Sequence, residues 1–225
     1  MAFPGGKTTV YEAGLRVPFI VRHPKAKKRG VVNNAMISHV DITPSILDLA
    51  QAYDADRQAP LKLISVAKVP SGENGGKPPK AYHGRSWVPV LEEASPKGWD
   101  EIGASHTFHE IQMYYPMRVV RDRKYKLIWN IAWRQPYPFA SDLWRASTWQ
   151  AQFAKGAEAP YGKRTVDSYI NRPQFELYDI SSDPAEARNL AKDPAFATVL
   201  THYQSKLKAM QKRTEDPWIM KWRYE

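Results

Sequence analysis

Two short apolar segments joined by a charged turn, Met117-Arg-Val-Val-Arg-Asp-Arg-Lys-Tyr-Lys-Leu-Ile-Trp-Asn130, decide the fold of this chain. Apolar and β-branched residues on both sides of a polar turn are typical of a β-hairpin. Phe175-Glu-Leu-Tyr-Asp179 has the composition of a further strand. A third set of apolar residues recurs at helical spacing: Phe196, Val199, Leu200, Tyr203, Leu207 and Met210. These patterns predict a small antiparallel sheet packed by a C-terminal amphipathic helix.

The first fifty residues carry a different pattern. Val17-Pro-Phe-Ile-Val21 is an apolar run typical of a buried strand, and a helix is predicted to begin at Pro44 with Thr43 as its N-cap. Residues 54–81 are rich in Gly, Pro and other turn formers, which indicates a loop or linker. The chain therefore divides, on sequence, into segments 1–53, 54–81 and 82–225, and its fold class is predicted as α+β.

Composition excludes several classes of protein. The chain has 225 residues, no Cys and a formal net charge of +10. Without Cys it has no disulfide, thiolate–metal site or cysteine nucleophile. No apolar run is long enough to predict a membrane span. The positive charge fits an acidic partner such as a sulfated polysaccharide, a nucleic acid or an anionic membrane surface, and it equally fits a solvated basic surface.

A search for catalytic motifs finds little. His106 and His109 are three residues apart and could share a zinc ion on a helix, but their neighbours favour a strand, so we predict no metal site. Basic residues beside aromatics between Arg121 and Trp129 could stack on nucleic acid, although the exposed face of a hairpin explains them better. Considered alone, the residues indicate a basic α+β domain.

Four segments, in order, resemble the C-terminal part of a type I sulfatase: Lys7-Thr-Thr-Val-Tyr-Glu-Ala-Gly-Leu-Arg-Val-Pro-Phe-Ile-Val21, Ser38-His-Val-Asp-Ile-Thr-Pro-Ser-Ile-Leu-Asp48, His83-Gly-Arg-Ser-Trp-Val-Pro-Val-Leu91 and Glu176-Leu-Tyr-Asp-Ile-Ser-Ser-Asp-Pro-Ala-Glu-Ala-Arg-Asn-Leu190. Within that family the chain resembles the heparan N-sulfatase branch. That likeness is carried by His109-Glu-Ile-Gln-Met-Tyr-Tyr-Pro-Met-Arg118, Trp129-Asn130, Pro136-Tyr-Pro-Phe139 and Thr214-Glu-Asp-Pro-Trp218. The resemblance implies that residues 1–53 are the tail of an alkaline-phosphatase-like α/β sulfatase domain and that 82–225 form its small C-terminal subdomain.

The resemblance also implies a mechanism. A formylglycine made from Cys or Ser in a Cys/Ser-x-Pro-x-Arg motif attacks sulfur, and a divalent cation, usually calcium, holds the sulfate. This chain has no Cys, no Ser-x-Pro-x-Arg and no Asp-Asn-Gly. We therefore expect a fragment that is inactive alone, whose nucleophile and metal ligands belong to a missing N-terminal sulfatase domain.

Site residues are carried over from the family position by position. Lys7 matches the family's basic residue that contacts the sulfate, and His109 and Glu110 are candidates for contacting the sugar. Arg118 is expected to be structural. We expect the loop after Lys7 to be held in place by three residues that follow it in the chain: Tyr11, Glu12 and Arg16.

The expected partner is a sulfated glycosaminoglycan or sulfated sugar, with no membrane and no nucleic acid. Proteins of this family are exported to the periplasm or medium, or are lysosomal, so the resemblance implies one of these locations. Two other functions stay open on sequence: a non-catalytic polyanion-binding module, and a fragment of a related phosphoester hydrolase. Since the apolar run at 17–21 belongs to a larger sheet in the family, we expect the free chain to aggregate.

Overall fold

The computed structural model describes residues 5–55, 59–60, 82–110 and 113–224, with backbone alone at 59–60. Contacts divide the chain into two compact units, one of residues 1–20 with 101–225 and the other of 21–100. This division differs from the predicted boundaries at 53 and 82, because the described residues up to Ile20 group with the C-terminal sheet. The assignment of 1–53 to a larger α/β domain stays a prediction.

The helices and strands follow in chain order. They are α1 (Glu12–Leu15), α2 (Ile42–Leu49), β1 (Tyr53–Asp54), β2 (Ala59–Pro60), β3 (Glu101–His109), β4 (Met113–Asp122), β5 (Tyr125–Asn130), α3 (Ser141–Arg145), α4 (Ser147–Phe153), β6 (Pro160–Tyr161), β7 (Arg164–Thr165), α5 (Val166–Ile170), β8 (Phe175–Asp179) and α6 (Ala197–Arg213). The chain is thus mixed helix and strand, as predicted.

The larger unit is built on a four-stranded antiparallel sheet of order β3-β4-β5-β8. The predicted hairpin is confirmed as β4 and β5, with Val120 opposite Leu127. Its turn is closed by Asp122, whose carboxylate accepts hydrogen bonds from the backbone N–H groups of Lys124 and Tyr125, each at 2.9 Å. An aspartate that caps its own turn in this way fixes the register of the two strands.

Both faces of the sheet are covered. Successive strand residues point to opposite faces, so Val119 and Val120 enter two different clusters of buried side chains. The predicted C-terminal helix is confirmed as α6, which buries Tyr203 and Leu207 on the Val120 face. The other face is covered by the aromatic segment 131–170, whose short helices α3 to α5 show no long apolar period.

The smaller unit is organised around α2. The predicted N-cap is wrong: α2 begins at Ile42, preceded by a 3₁₀ turn, so Thr43 lies inside the helix. Ser45 Oγ accepts from the Trp87 N–H at 3.0 Å, and Asp41 Oδ1 accepts from the Arg85 N–H at 2.9 Å. Two segments that resemble the family, 38–48 and 83–91, are therefore joined directly.

Glycine is required at one position of this contact. A Cβ on Gly84 would lie 2.2 Å from the carbonyl oxygen of Val40, which is closer than any real contact. The backbones of the two segments can approach each other only because this residue has no side chain.

Two other sequence predictions have different outcomes. The predicted strand at 17–21 is wrong, because these residues form no ladder with any described strand and Ile20 is 91% exposed. An apolar run becomes a strand only beside another strand. Most of the predicted linker, 56–58 and 61–81, lies outside the described residues, while β1 and β2 pair antiparallel at its start. In the described part of the chain, no helix is long and apolar enough to cross a membrane.

Candidate functional site

The loop that carries Lys7 is held in place by hydrogen bonds that side-chain hydroxyl groups donate to it. Thr8 has a left-handed backbone with φ +67°, and the hydroxyl of Tyr137 donates to its carbonyl oxygen and to its Oγ1. Thr9 Oγ1 donates to the carbonyl of Gly6 at 3.0 Å. Tyr137 is itself fully buried, so these hydrogen bonds tie the turn to the protein core while the Lys7 side chain stays exposed.

Lys7 makes an ion pair at the surface of the larger unit. Its Nζ donates to Asp142 Oδ2 at 2.6 Å, and both side chains are well exposed, 39% for Lys7 and 50% for Asp142. The hydrogen bond from Lys7 lowers the pKa of the Asp142 carboxyl below its usual value. An exposed pair of this kind contributes little to folding, so the ammonium remains available to a ligand.

His109 and Glu110 lie at the end of β3. Glu110 directly follows the last residue of the strand and has a left-handed backbone with φ +57°. His109 Nε2 is 4.0 Å from Glu110 Oε1, too far for a hydrogen bond, and the two side chains are 40% and 31% exposed. The pair is therefore accessible rather than a closed, buried contact.

Consecutive residues at the start of α3 connect these side chains. Ser141 Oγ donates to Glu110 Oε1 at 3.2 Å, while its neighbour Asp142 binds Lys7. The structure thus brings all three predicted site residues, Lys7, His109 and Glu110, to one surface. Sequence reasoning missed Ser141 and Asp142, although only Ala140 separates them from the 136–139 segment that carries part of the family resemblance.

The residues expected to hold the loop after Lys7 do so in two of three cases. The hydroxyl of buried Tyr11 donates to Glu176 Oε2 at 2.8 Å. Glu12 accepts from Arg121 Nη2 at 3.0 Å, and burial works to raise its pKa, but the cations of Arg121 and Lys126 outweigh burial and lower it. Arg16 has an exposed side chain and serves no such role here.

Two buried ion pairs involve residues of the central sheet. Lys126 is fully buried and its Nζ lies 2.8 Å from Glu186 Oε1, whose pKa is raised because burial outweighs the nearby cations. Arg118 Nε donates to Asp216 Oδ2 at 2.6 Å with both side chains almost fully buried. The expected structural role of Arg118 is thereby confirmed.

The described residues do not fit a metal or the family's nucleophile. Among residues 5–55, 82–110 and 113–224, no group of three or more His, Asp or Glu side chains is placed to hold a metal ion. His106 and His109 lie on a strand, and His106 Nδ1 is 3.2 Å from the backbone oxygen of Tyr115. The chain also has no Cys, so it cannot supply a formylglycine made from Cys.

The candidate site is an open surface. A groove of about 610 Å³ elsewhere in the larger unit is lined by Arg164, Glu176 and Tyr178 among others, and Lys7 and Glu110 are not part of its lining. A ligand at Lys7 would therefore need further walls to be enclosed.

Comparisons with known proteins find sequence relatives among the sulfatases. Residues 6–72 match the family model "N-sulphoglucosamine sulphohydrolase, C-terminal". The human N-sulphoglucosamine sulphohydrolase is 36% identical over 220 residues, which is 96% of this chain and 40% of the human protein. An ulvan-active sulfatase of Formosa agariphila is 28% identical over 86% of this chain and 32% of that protein. The chain thus spans less than half the length of these relatives.

A solved structure confirms the fold. A protein crystallised with its substrate D-glucosamine-2-N,6-O-disulfate matches 88% of this chain and 28% of its own, with a TM-score of 0.52 and 20% identity. The fold is therefore that of the alkaline-phosphatase-like sulfatases, with the small antiparallel sheet near the end of the chain. The chain is therefore similar in sequence to N-sulphoglucosamine sulphohydrolase and to the C-terminal model of that family, and it is similar in fold to a solved structure that binds a sulfated glucosamine.

Proposed function

We propose that this chain is the C-terminal portion of a sulfohydrolase that removes sulfate from glucosamine of heparan-type glycosaminoglycan. The sulfate that it removes is, in this proposal, the N-linked one. The observation that carries the proposal is the shared surface of Lys7, His109 and Glu110, where an exposed cation, paired with the exposed carboxylate of Asp142, lies beside groups suited to a sugar. The human relative's name and the sulfated glucosamine bound by the structural neighbour support this substrate class.

The charges of the surface give each residue a role. The Lys7 ammonium offsets the negative charge of the sulfuryl oxygens, as a fixed cation does for any transferring oxyanion. Glu110 repels sulfate but accepts hydrogen bonds from hydroxyl groups, and His109 can donate or accept. The sulfate should therefore lie at Lys7 with the sugar hydroxyls toward His109 and Glu110.

The nucleophile and metal of the family would have to come from outside this chain. We propose that a formylglycine and a calcium ion are supplied by a sulfatase segment that precedes it in a longer protein, and that the 225 residues alone are inactive. Proteins of this kind are exported or lysosomal, which we propose for the complete enzyme and which cell fractionation would test.

The test begins with the DNA upstream of the Met1 codon. An in-frame continuation encoding Asp-Asn-Gly and Cys/Ser-x-Pro-x-Arg is expected, and the longer product should release sulfate from N-sulfoglucosamine. In that product, Lys7→Gln should lower kcat by about 10²-fold, since it removes a charged contact to the transition state. The exposed Lys155→Gln is the matched control and should have no effect.

A second candidate function rests on charge alone. A net charge of +10 also fits a non-catalytic module that binds polyanions. A stop codon upstream of Met1, together with salt-sensitive binding of the 225-residue chain to heparin, would replace the sulfohydrolase proposal with this one.

A further inference from the structure

Asp142 is a charged group beside Lys7 on the candidate surface, and the proposed function gives it no role. Its Oδ2 binds Lys7 Nζ at 2.6 Å, and its Oδ1 accepts from the N–H of Leu143 at 2.9 Å. Its side chain is half exposed, so the carboxylate is held at both oxygens yet remains open to solvent on one side.

A sulfate on Lys7 would come into conflict with this carboxylate. Both anions take hydrogen bonds from the same ammonium group, and two negative charges around one cation repel each other. The exposed pair with Lys7 is a weak interaction, so a ligand anion can displace it. The contact to Leu143 involves only the other oxygen, and the side chain can therefore turn without unfolding α3.

The direction in which Asp142 is released is set by its neighbours. Ser141, the preceding residue, contacts Glu110, one of the groups proposed to contact the sugar. A released carboxylate therefore stays one residue away from a side chain that contacts the sugar side of the surface. As an ionised acceptor with two oxygens, it is suited to the hydroxyl or amino group of a sugar and unsuited to a second anionic group.

We propose that Asp142 is a substrate-binding residue with two partners: it pairs with Lys7 in the ligand-free protein and accepts a hydrogen bond from the amino sugar once sulfate occupies Lys7. This inference rests on the proposed function and adds to it a residue that selects for the sugar. It predicts that Asp142 weakens the binding of a bare sulfate ion and strengthens the binding of a sulfated amino sugar.

The test compares two probes on the 225-residue chain. Saturation-transfer NMR measures N-sulfoglucosamine binding directly and inorganic sulfate binding by competition, with micromolar protein. In Asp142→Asn, sulfate should bind about threefold more tightly and N-sulfoglucosamine about threefold more weakly, which are changes expected of one exposed charged contact. Asp167→Asn is the matched control, because Asp167 is an exposed aspartate whose carboxylate accepts a hydrogen bond from Asn171 and, in the described part of the chain, forms no hydrogen bond or ion pair with Lys7, His109 or Glu110.

The outcomes separate this inference from the proposed function. If Asp142→Asn moves both affinities in the same direction or leaves both unchanged, Asp142 is structural and the inference is overturned. Lys7→Gln should weaken both probes. If it does not, or if the unaltered chain binds neither probe, the proposed function and the inference fall together.

Discussion

Replacing Asp216 with asparagine removes one charge from the buried ion pair that joins β4 to the end of α6. Asp216 accepts from Arg118 Nε at 2.6 Å and from its Nη2 at 2.9 Å, and also from Gln211 Nε2 and the Trp218 N–H. An asparagine keeps the size of the side chain. It replaces one acceptor oxygen with an NH₂ group that faces a donor, and it leaves the Arg118 cation without a counter-charge.

The expected loss follows from this geometry. Removing one partner of a buried ion pair costs about 3–5 kcal/mol. Arg118 keeps two carbonyl acceptors, Met117 at 2.9 Å and His106 at 3.1 Å, so we expect the lower end of that range. With a urea slope of about 2 kcal/mol per molar, a loss of about 3 kcal/mol lowers the unfolding midpoint by about 1.5 M.

The same substitution predicts a pH dependence. Burial works to raise the pKa of Asp216, but the hydrogen bonds from Arg118, Gln211 and Trp218 outweigh it and lower the pKa below 3.8. A lowered pKa means that the stabilisation is present above the unfolded value and is lost as pH falls through the folded value. The gap between the unaltered chain and Asp216→Asn should therefore close below about pH 4.

Urea titrations followed by far-UV circular dichroism at neutral and acid pH measure both effects. Asp167→Asn, an exposed aspartate in the same unit, should shift the midpoint by no more than a few tenths of a molar. A midpoint for Asp216→Asn within that control range would refute the reasoning. So would a gap that persists unchanged in acid, since the charge of Asp216 would then not be its source.

Three further outcomes are expected. Leu207→Ala should destabilise the larger unit by about 2–5 kcal/mol, because Leu207 is fully buried on the face of α6 that packs on the sheet. Urea unfolding measures this loss, and a loss below about 1 kcal/mol would contradict the packing. Gly84→Ala should disrupt the contact of 83–91 with 38–48, since its Cβ would meet the oxygen of Val40; hydrogen exchange of α2 amides should then rise while those of α6 stay protected. Ile20→Lys should reduce aggregation of the free chain as measured by light scattering, because it replaces an apolar side chain that is 91% exposed with a charged one. Equal scattering would show that aggregation starts elsewhere.

The strands and the long helix could be predicted because their signals are local. Phe175–Asp179 was predicted with the bounds that β8 has, and the period of Tyr203 and Leu207 marks the face that α6 buries. β3 was not predicted as a full strand, since Glu101–His109 lies at the edge of the sheet and lacks a fully buried side. The strand at 17–21 failed for the opposite reason: the composition is right, but no described strand adjoins it.

The candidate site was only partly predictable. Lys7, His109 and Glu110 came from resemblance, and their roles remain proposals. Asp142 lies 135 residues from Lys7, and nothing in the local sequence of either residue indicates that they meet. Contacts between residues so far apart in sequence depend on how the aromatic segment 131–170 covers the sheet. The apolar residues of this segment recur at no regular spacing from which its packing could be derived.

The discontinuous make-up of the larger unit has a consequence for synthesis of the protein. Tyr11 finds its partner Glu176 only after 165 further residues have been translated. At a translation rate of about 5–20 residues per second, the segment around Tyr11 waits roughly 10–30 s before Glu176 has been synthesised. During that interval its apolar residues are exposed to solvent and to other nascent chains. Chaperone binding to residues 1–20, seen by ribosome profiling of chaperone-bound nascent chains, should therefore begin once these residues leave the ribosome and end once β8 has emerged.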